Sequence, residues 1–163
     1  MSRAFVKESD DVPELPDRPI SEHPNLVTEK GLAQIEAAIA AHRAELAEAQ
    51  ATEDRAAIAA ASRELRYWNA RRAGAEHQPP PADCETVHFG CRVTLHRDPP
   101  PKGSTKGKAT VAYTIVGEDE ADPTKGTLSW VSPLARALMG KQVGDVVPMG
   151  EGEAEILKIV AGK

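Results

Sequence analysis

Two runs of mostly apolar residues at helical spacing, separated by only a few residues, constrain this chain more than any other feature. Within each run the spacing alternates between three and four, which is the a/d pattern of helices that pack along a seam. Because only the residues around Ala51 and Thr52 separate the two runs, the helices must lie antiparallel. The seam positions are Leu32, Ile35, Ile39, His42, Leu46, Ala49, Ile58, Ala61, Leu65, Trp68, Arg72 and Ala75.

A proline-rich segment separates this hairpin from the rest of the chain. The sequence QPPP at residues 78–81 cannot continue a helix, because proline lacks the amide donor and disfavours helical geometry in the residue before it. We therefore predict an antiparallel coiled coil over residues 26–77 and a linker over 78–85. Residues 1–25 mix prolines and acids with scattered apolar residues, which predicts a disordered acidic arm.

Residues 86–163 have the pattern of a small α+β domain. Hydrophobicity now alternates with period two, which predicts strands; their positions are residues 86–95, 109–116, 127–131 and 153–160. A single short helix separates the last two strands. Ser132 suits its N-cap, Pro133 its first turn and Gly140 its end.

Composition excludes several classes of function. The formal net charge of -5 argues against a protein that coats nucleic acid, because such a protein needs a dominant basic field. No apolar stretch approaches the roughly 18 residues of a membrane span or the form of a signal peptide, so we expect a cytoplasmic protein that does not bind membranes. We find no catalytic triad, phosphate loop or dinucleotide fingerprint, and therefore expect no autonomous enzyme activity.

Glu53 and Asp54 are the candidate functional carboxylates, because the turn of the hairpin places them at its far end. Two adjacent acids can share Mg²⁺, which prefers oxygen ligands and usually takes one or two carboxylates from a protein. The alternative is structural: Thr52 followed by two acids also suits the start of a helix. Since clustered acids are only probabilistic evidence of function, the residues alone favour the structural interpretation.

The two cysteines, Cys84 and Cys91, form a conceivable metal set with His77 and His88. Their spacing lacks the paired C-x2-C elements that structural zinc favours. We therefore predict no intrinsic metal site.

Three other features have ordinary structural explanations. His42 on the seam is interpreted as a packed polar residue, and Ser132 as a cap and not a nucleophile. Lys102, Lys106 and Lys108 form a basic loop that either touches RNA or an acidic surface or is simply solvated; the second is the commoner case.

Several motifs in order carry a resemblance to a known family. They are VHFG at residues 87–90, VTL at 93–95, VGEDEAD at 116–122, LSWVSPLARALMGK at 128–141 and VGDVV at 143–147. Together they resemble the C-terminal domain of the GreA/GreB transcript cleavage factors. The hairpin matches that family in architecture, with LRYW at residues 65–68 similar to the base of the second helix, and SRAFVKE at 2–8 resembles the start of some members.

The resemblance implies an FKBP-like C-terminal domain with an antiparallel sheet, which docks at the rim of the secondary channel of bacterial RNA polymerase. It implies polymerase-binding residues within 130–136, namely Trp130, Val131, Ser132, Pro133 and Arg136. It also implies that the coiled coil enters the channel, where Glu53 and Asp54 help to hold Mg²⁺ near the RNA 3′ end while the polymerase hydrolyses backtracked RNA. No intrinsic cofactor is implied, and we expect a monomer.

The hairpin departs from the family at its tip and in its length. The family tip reads Gly-Asp-Leu, a variable residue, then Glu-Asn-Ala-Glu-Tyr, whereas residues 51–56 read ATEDRA, so only acidity is shared. Each arm is shorter by two to three turns, or about 13 Å at 1.5 Å per residue. This difference threatens cleavage stimulation more than docking.

Three alternatives therefore remain. The first is a non-cleaving regulator that occupies the channel, similar to the regulator of nucleoside diphosphate kinase. The second is a stand-alone prolyl isomerase. Such enzymes use an aromatic pocket, for which this chain is poorly equipped, because Phe89 is its sole phenylalanine beyond the N-terminal arm. The third is a hairpin that serves to form a homodimer.

Overall fold

The computed structural model describes residues 14–98 and 110–162. It contains a helical hairpin and a five-stranded sheet with one short helix, which confirms the predicted α+β class. The elements are β1 (Asn25–Val27), α1 (Glu29–Ala51), α2 (Arg55–Ala73), β2 (Ala75–His77), β3 (Cys91–Asp98), β4 (Thr110–Val116), a 3-10 turn (Pro123–Lys125), β5 (Thr127–Ser129), α3 (Pro133–Leu138), β6 (Val146–Met149) and β7 (Gly152–Ala161).

The side chains between the two helices are large at the base of the hairpin and small near its turn. Ile35 and Ile39 are buried at the base and pack with Leu32, Leu65 and Trp68. Near the turn the buried residues are Ala49 and Ala61, whose small side chains let the two helices approach closely. This gradient in side-chain size produces a narrow projecting element.

One seam position was wrong. Arg72, predicted on the seam, is exposed and pairs across the hairpin with Glu36 at 3.0 Å. The buried arginine is its neighbour Arg71, which is 3% exposed and faces the second domain. His42 is a partly buried polar residue, with a ring nitrogen 2.8 Å from the carboxylate of Glu45.

The base of the hairpin ends in a small parallel sheet that the sequence did not reveal. β1 and β2 pair with Asn25 opposite Ala75 and Val27 opposite His77. The predicted coiled coil over residues 26–77 therefore includes strand residues at both ends. The side-chain amide of Asn25 donates to the Arg71 carbonyl at 2.8 Å and ties the strand to α2.

The sheet of the second domain is mixed, and not antiparallel as expected. Its order is β5-β4-β3-β7-β6; β4 and β5 run parallel, and the other neighbours are antiparallel. The sheet buries alternate residues of β3 and β7 against α3, in a core of Val87, Val93, Leu95, Ile115, Leu128, Ala135, Leu138, Val147, Ala154 and Ile156.

The first strand and an edge strand of this domain differ from the prediction. The first strand begins at Cys91 and not at residue 86, because residues 86–90 form a connection in which the Val87 amide donates to the Lys141 carbonyl. The edge strand β6 was missed. It contains Pro148, which lacks the amide donor and is tolerated only where a strand lies at an edge.

Part of the predicted acidic arm lies against the hairpin. Asp17 pairs with Arg66 at 2.6 Å and Arg18 with Glu64 at 2.7 Å, while the Arg18 guanidinium lies 3.7 Å from the centre of the Tyr67 ring. Residues 1–13, for which disorder is also predicted, lie outside the described residues. The same is true of the basic loop that contains Lys102, Lys106 and Lys108.

Candidate functional site

The tip of the hairpin divides its capping roles differently from the prediction. Thr52 ends α1, and its hydroxyl donates to the Glu48 carbonyl at 3.1 Å. Asp54, and not Thr52, is the N-cap of α2, since its carboxylate accepts a hydrogen bond from the Ala57 amide at 3.1 Å. The structural interpretation therefore holds for Asp54, whose carboxylate satisfies one of the free amides at the helix start.

Glu53 has an unusual backbone conformation. Its φ of 54° lies in the left-handed region, and it is the one non-glycine residue with positive φ in the described part of the chain. A side chain in this conformation crowds the following carbonyl, so glycine or asparagine normally takes such a position. The exposed Glu53 side chain is therefore presented to solvent at a conformational cost.

Further acids line the hairpin between its turn and its middle. A shallow groove between the helices, of about 410 Å³, is lined by Glu45, Glu48, Asp54 and Glu64 together with small side chains. The distal part of the hairpin is thus narrow and acidic.

The predicted docking residues are brought together on one surface after β5. The Trp130 amide donates to the Val116 carbonyl at 3.0 Å, and its half-buried ring packs on the domain core. Ser132 caps α3 by accepting from the Ala135 amide at 3.3 Å, and Pro133 occupies the first turn. The Val131 amide donates to the Ser129 hydroxyl at 3.3 Å, and Arg136 is exposed on α3; local hydrogen bonds thus fix this segment.

One residue of the N-terminal segment lies on this surface, which sequence reasoning missed. The His23 ring stands edge-on to Trp130 with 6.0 Å between ring centres. Its Nε2 lies 3.2 Å from an Arg136 guanidinium nitrogen. The surface that carries the predicted docking residues therefore includes His23, and no sequence signal linked His23 to residues more than 100 positions away.

A polar network joins the hairpin base to the second domain through the acidic run of residues 118–120. The buried Arg71 donates to Asp119 at 2.5 Å and to the Asn25 side chain at 2.6 Å. Tyr67 also donates to Asp119; burial, together with this hydrogen bond, raises its pKa to about 12. The Thr28 hydroxyl donates to a carboxylate oxygen of residue 120 at 2.5 Å.

The backbone itself makes a close approach at the same joint. A Cβ atom at Gly117 would lie 2.4 Å from the Leu26 carbonyl oxygen, closer than real Cβ atoms come to any neighbour. Only glycine allows the start of the acidic run to lie against β1. Sequence reasoning missed the joint because the residues that meet there are 46 to 92 positions apart; VGEDEAD was recognised only as a motif.

Three members of the rejected metal set are close together. Cys84 and Cys91 form a disulfide, and the ligand atoms of Cys84, His88 and Cys91 all lie within 4.8 Å of one another. His77, in β2, is not part of this group.

The C-terminal domain has a clear family. Residues 82–161 match the family described as "Transcription elongation factor, GreA/GreB, C-term". Through this domain the chain belongs to the GreA/GreB family. The match spans β3 to β7 and α3, and thus includes Trp130 and Arg136.

Individual relatives agree with this assignment. The chain is 55% identical over 53 residues to transcription elongation factor GreA of Alkalilimnicola ehrlichii, covering 30% of this chain and 34% of that protein. It is 43% identical over 77 residues to GreA of Pseudomonas putida, covering 45% and 44%. The chain thus spans less than half the length of these curated relatives.

Solved structures of the family are also similar, although weakly over the whole chain. The crystal structure of GreA factor homolog 1 of Thermus thermophilus has a TM-score of 0.36 and 20% identity, with coverage of 84% and 99%. The GreA/GreB factor of Nitrosomonas europaea has a TM-score of 0.35 and 17% identity, with coverage of 85% and 99%. In residues 14–98 and 110–162, no helix is both long and apolar enough to traverse a lipid bilayer.

Proposed function

We propose that the chain is a transcription elongation factor that binds bacterial RNA polymerase at the rim of the secondary channel. The C-terminal domain docks, and the hairpin enters the channel. The observation that carries this proposal is the joining of a GreA/GreB C-terminal domain to a projecting hairpin with Glu53 and Asp54 at its tip. The factor acts as a cytoplasmic monomer and is not itself an enzyme.

The docking surface supports this proposal by its chemistry and its rigidity. Tryptophan and arginine are among the residues that contribute most to protein interfaces, and Trp130 and Arg136 lie on the same surface here. The cap at Ser132 and the backbone bond from Trp130 to Val116 fix both residues before binding. A surface fixed in advance loses less conformational entropy on association.

At the tip, Glu53 is the primary effector in this proposal. An acid kept in a left-handed conformation that glycine would adopt at lower cost is consistent with selection for its carboxylate. Glu53 and Asp54 would share Mg²⁺ with the polymerase near the RNA 3′ end. The polymerase would hydrolyse backtracked RNA, and the chain would supply no catalytic cofactor of its own.

Two observations favour a second form of the same function, a regulator that occupies the channel without stimulating cleavage. Asp54 already uses its carboxylate as a helix cap. The helices have 23 and 19 residues, about 34 and 28 Å at 1.5 Å per residue, so the hairpin is short. Docking through the C-terminal domain is common to both forms.

Cleavage in backtracked polymerase complexes separates the two forms. The intact chain is compared with Glu53→Ala/Asp54→Ala and with Glu53→Gln/Asp54→Asn. The second variant removes both charges but keeps side-chain size and a capping residue, since asparagine caps as well as aspartate. Polymerase binding is measured in parallel.

The outcomes are distinct. Faster cleavage that both double variants abolish, with binding kept, supports an effector role for the tip acids. Binding without faster cleavage in the intact chain supports the channel-occupying form. Failure of the intact chain to bind polymerase, or binding that persists after Trp130→Ala/Arg136→Ala, would refute the docking proposal.

A further inference from the structure

The loop that leads into β3 gathers every cysteine of the chain around one histidine. Cys84 lies in the linker, Cys91 opens β3, and the chain has 2 cysteines in all. Their sulfur atoms and a ring nitrogen of His88 lie within 4.8 Å of one another. Two thiols and an imidazole are the donor types that zinc prefers in proteins.

The surroundings of His88 can orient its ring for metal binding. Its Nδ1 lies 3.2 Å from the Phe89 carbonyl oxygen, and its Nε2 lies 3.0 Å from that of Asp83. A neutral imidazole carries one N–H, so it can donate to only one of these carbonyls. In the metal-bound state one ring nitrogen would bind the ion and give up its carbonyl contact, while the N–H on the other would donate to its carbonyl, which is the usual support for a metal-bound histidine.

Reduction must come before metal binding, because the two sulfurs form a disulfide. Disulfides are uncommon in a reducing cytoplasm, and this compartment is the one part of the argument that rests on the proposed function. Two equivalents of a low-molecular-weight thiol reduce the bond by exchange, giving two protein thiols and one small disulfide. Binding of Zn²⁺ then releases one proton from each thiol.

We propose that reduced Cys84, His88 and Cys91 bind one Zn²⁺ through two thiolates and one imidazole nitrogen, with water as the fourth ligand. Cys91 is fully buried, whereas Cys84 and His88 are partly exposed, so an ion can enter from solvent. Three protein ligands and an open position form a recognised zinc arrangement.

The site would hold the linker against the second domain. Pro81 packs directly on Gly90, where an added Cβ would lie 2.9 Å from the proline ring. The Gly90 amide in turn donates to the Ile115 carbonyl at 2.9 Å, within β4. An ion that joins Cys84 to Cys91 therefore replaces the link that the disulfide provides, and zinc should raise the thermal stability of the reduced chain.

The test uses the full chain, reduced with a phosphine under nitrogen and titrated with Zn²⁺ against a chromogenic chelator. The expected result is one equivalent bound, with sulfur-to-metal charge-transfer absorption when Co²⁺ is substituted. Cys84→Ser and His88→Gln should each weaken binding by at least about 10-fold. The matched control His77→Gln should bind like the parent chain, because His77 lies outside the group.

Three results would overturn the inference. They are no stoichiometric binding by the reduced parent, binding that survives both ligand substitutions, and a melting temperature that Zn²⁺ raises equally in Cys84→Ser. None of these measurements involves polymerase, so failure of the zinc site and failure of the proposed function are distinguishable. Cys91→Ser is avoided because Cys91 is buried in the strand.

Discussion

Replacing Glu53 with glycine should stabilise the hairpin while removing its proposed effector. Glu53 has φ 54°, and a side chain in the left-handed region costs roughly 1–2 kcal/mol. Glycine avoids that cost but loses about 0.5–1 kcal/mol through the greater freedom of the unfolded chain. The net stabilisation is about 0.5–1 kcal/mol, which for a chain of this size raises the melting temperature by about 1–4 °C.

The measurement is urea or thermal unfolding followed by helical circular dichroism, because α1 and α2 supply nearly all the helix in the described residues. Glu53→Ala is the matched control: it also loses the carboxylate but keeps a Cβ, and therefore should not be stabilised. Glu53→Asn should fall between the two, since asparagine tolerates the left-handed region.

Equal stability of the glycine and alanine variants would refute the reasoning, because it would mean that the backbone at the tip is not strained. In the backtracked-RNA assay, the glycine variant should be at least as impaired as Glu53→Ala despite its greater stability. Full activity of Glu53→Gly would remove this residue from the proposed effector role.

Three further predictions concern the joint. Gly117→Ala should destabilise the chain by about 2–3 kcal/mol or change the angle between the domains, measured by melting and small-angle scattering; Gly74→Ala, with ordinary contacts at 3.6 Å, is the control. Arg71→Met removes the ion-pair partner of the partly buried Asp119 carboxylate, which keeps its hydrogen bond from Tyr67, and should cost about 3 kcal/mol in urea unfolding. Arg72→Met removes an exposed pair and should cost under about 1 kcal/mol. Tyr67 has its pKa raised to about 12, so the stability that its protonated form contributes is complete below pH 10 and is lost as the pH rises through 12. The titration of tyrosinate absorbance will show this.

The helices could be predicted from the sequence because their signals are local. Seam residues such as Ile35 and Ile39 recur at helical spacing. Ser132 and Pro133, two adjacent residues, mark the start of α3. At the tip, the sequence predicts a capped helix start but not which residue is the cap. Thr52 and Asp54 are both good caps, and the choice between them depends on how the turn folds back, which spacing alone does not determine.

Contacts between distant segments could not be predicted in the same way. The pairing of β1 with β2 involves strands of 3 residues each, too short to show a period. The seam assignment failed at Arg72 because the second domain buries its neighbour Arg71, and nothing in the helical pattern indicates that domain. Likewise, Cys84, His88 and Cys91 lack a zinc-binding spacing and meet only because residues 86–90 turn back instead of extending β3.

The joint connects the two halves of the proposed function. If the C-terminal domain docks on polymerase, the direction of the hairpin is set by Gly117, Arg71 and the acidic run, and not by contacts in the channel. A hairpin about 28–34 Å long turns a tilt of 10° at its base into a displacement of about 5–6 Å at Glu53. Since a displacement of about 1 Å already matters in catalysis, loosening the joint should impair the tip far more than docking. Arg71→Met should therefore bind polymerase nearly normally and yet lose any effect on backtracked RNA; equal loss of binding would show that the joint also shapes the docking surface.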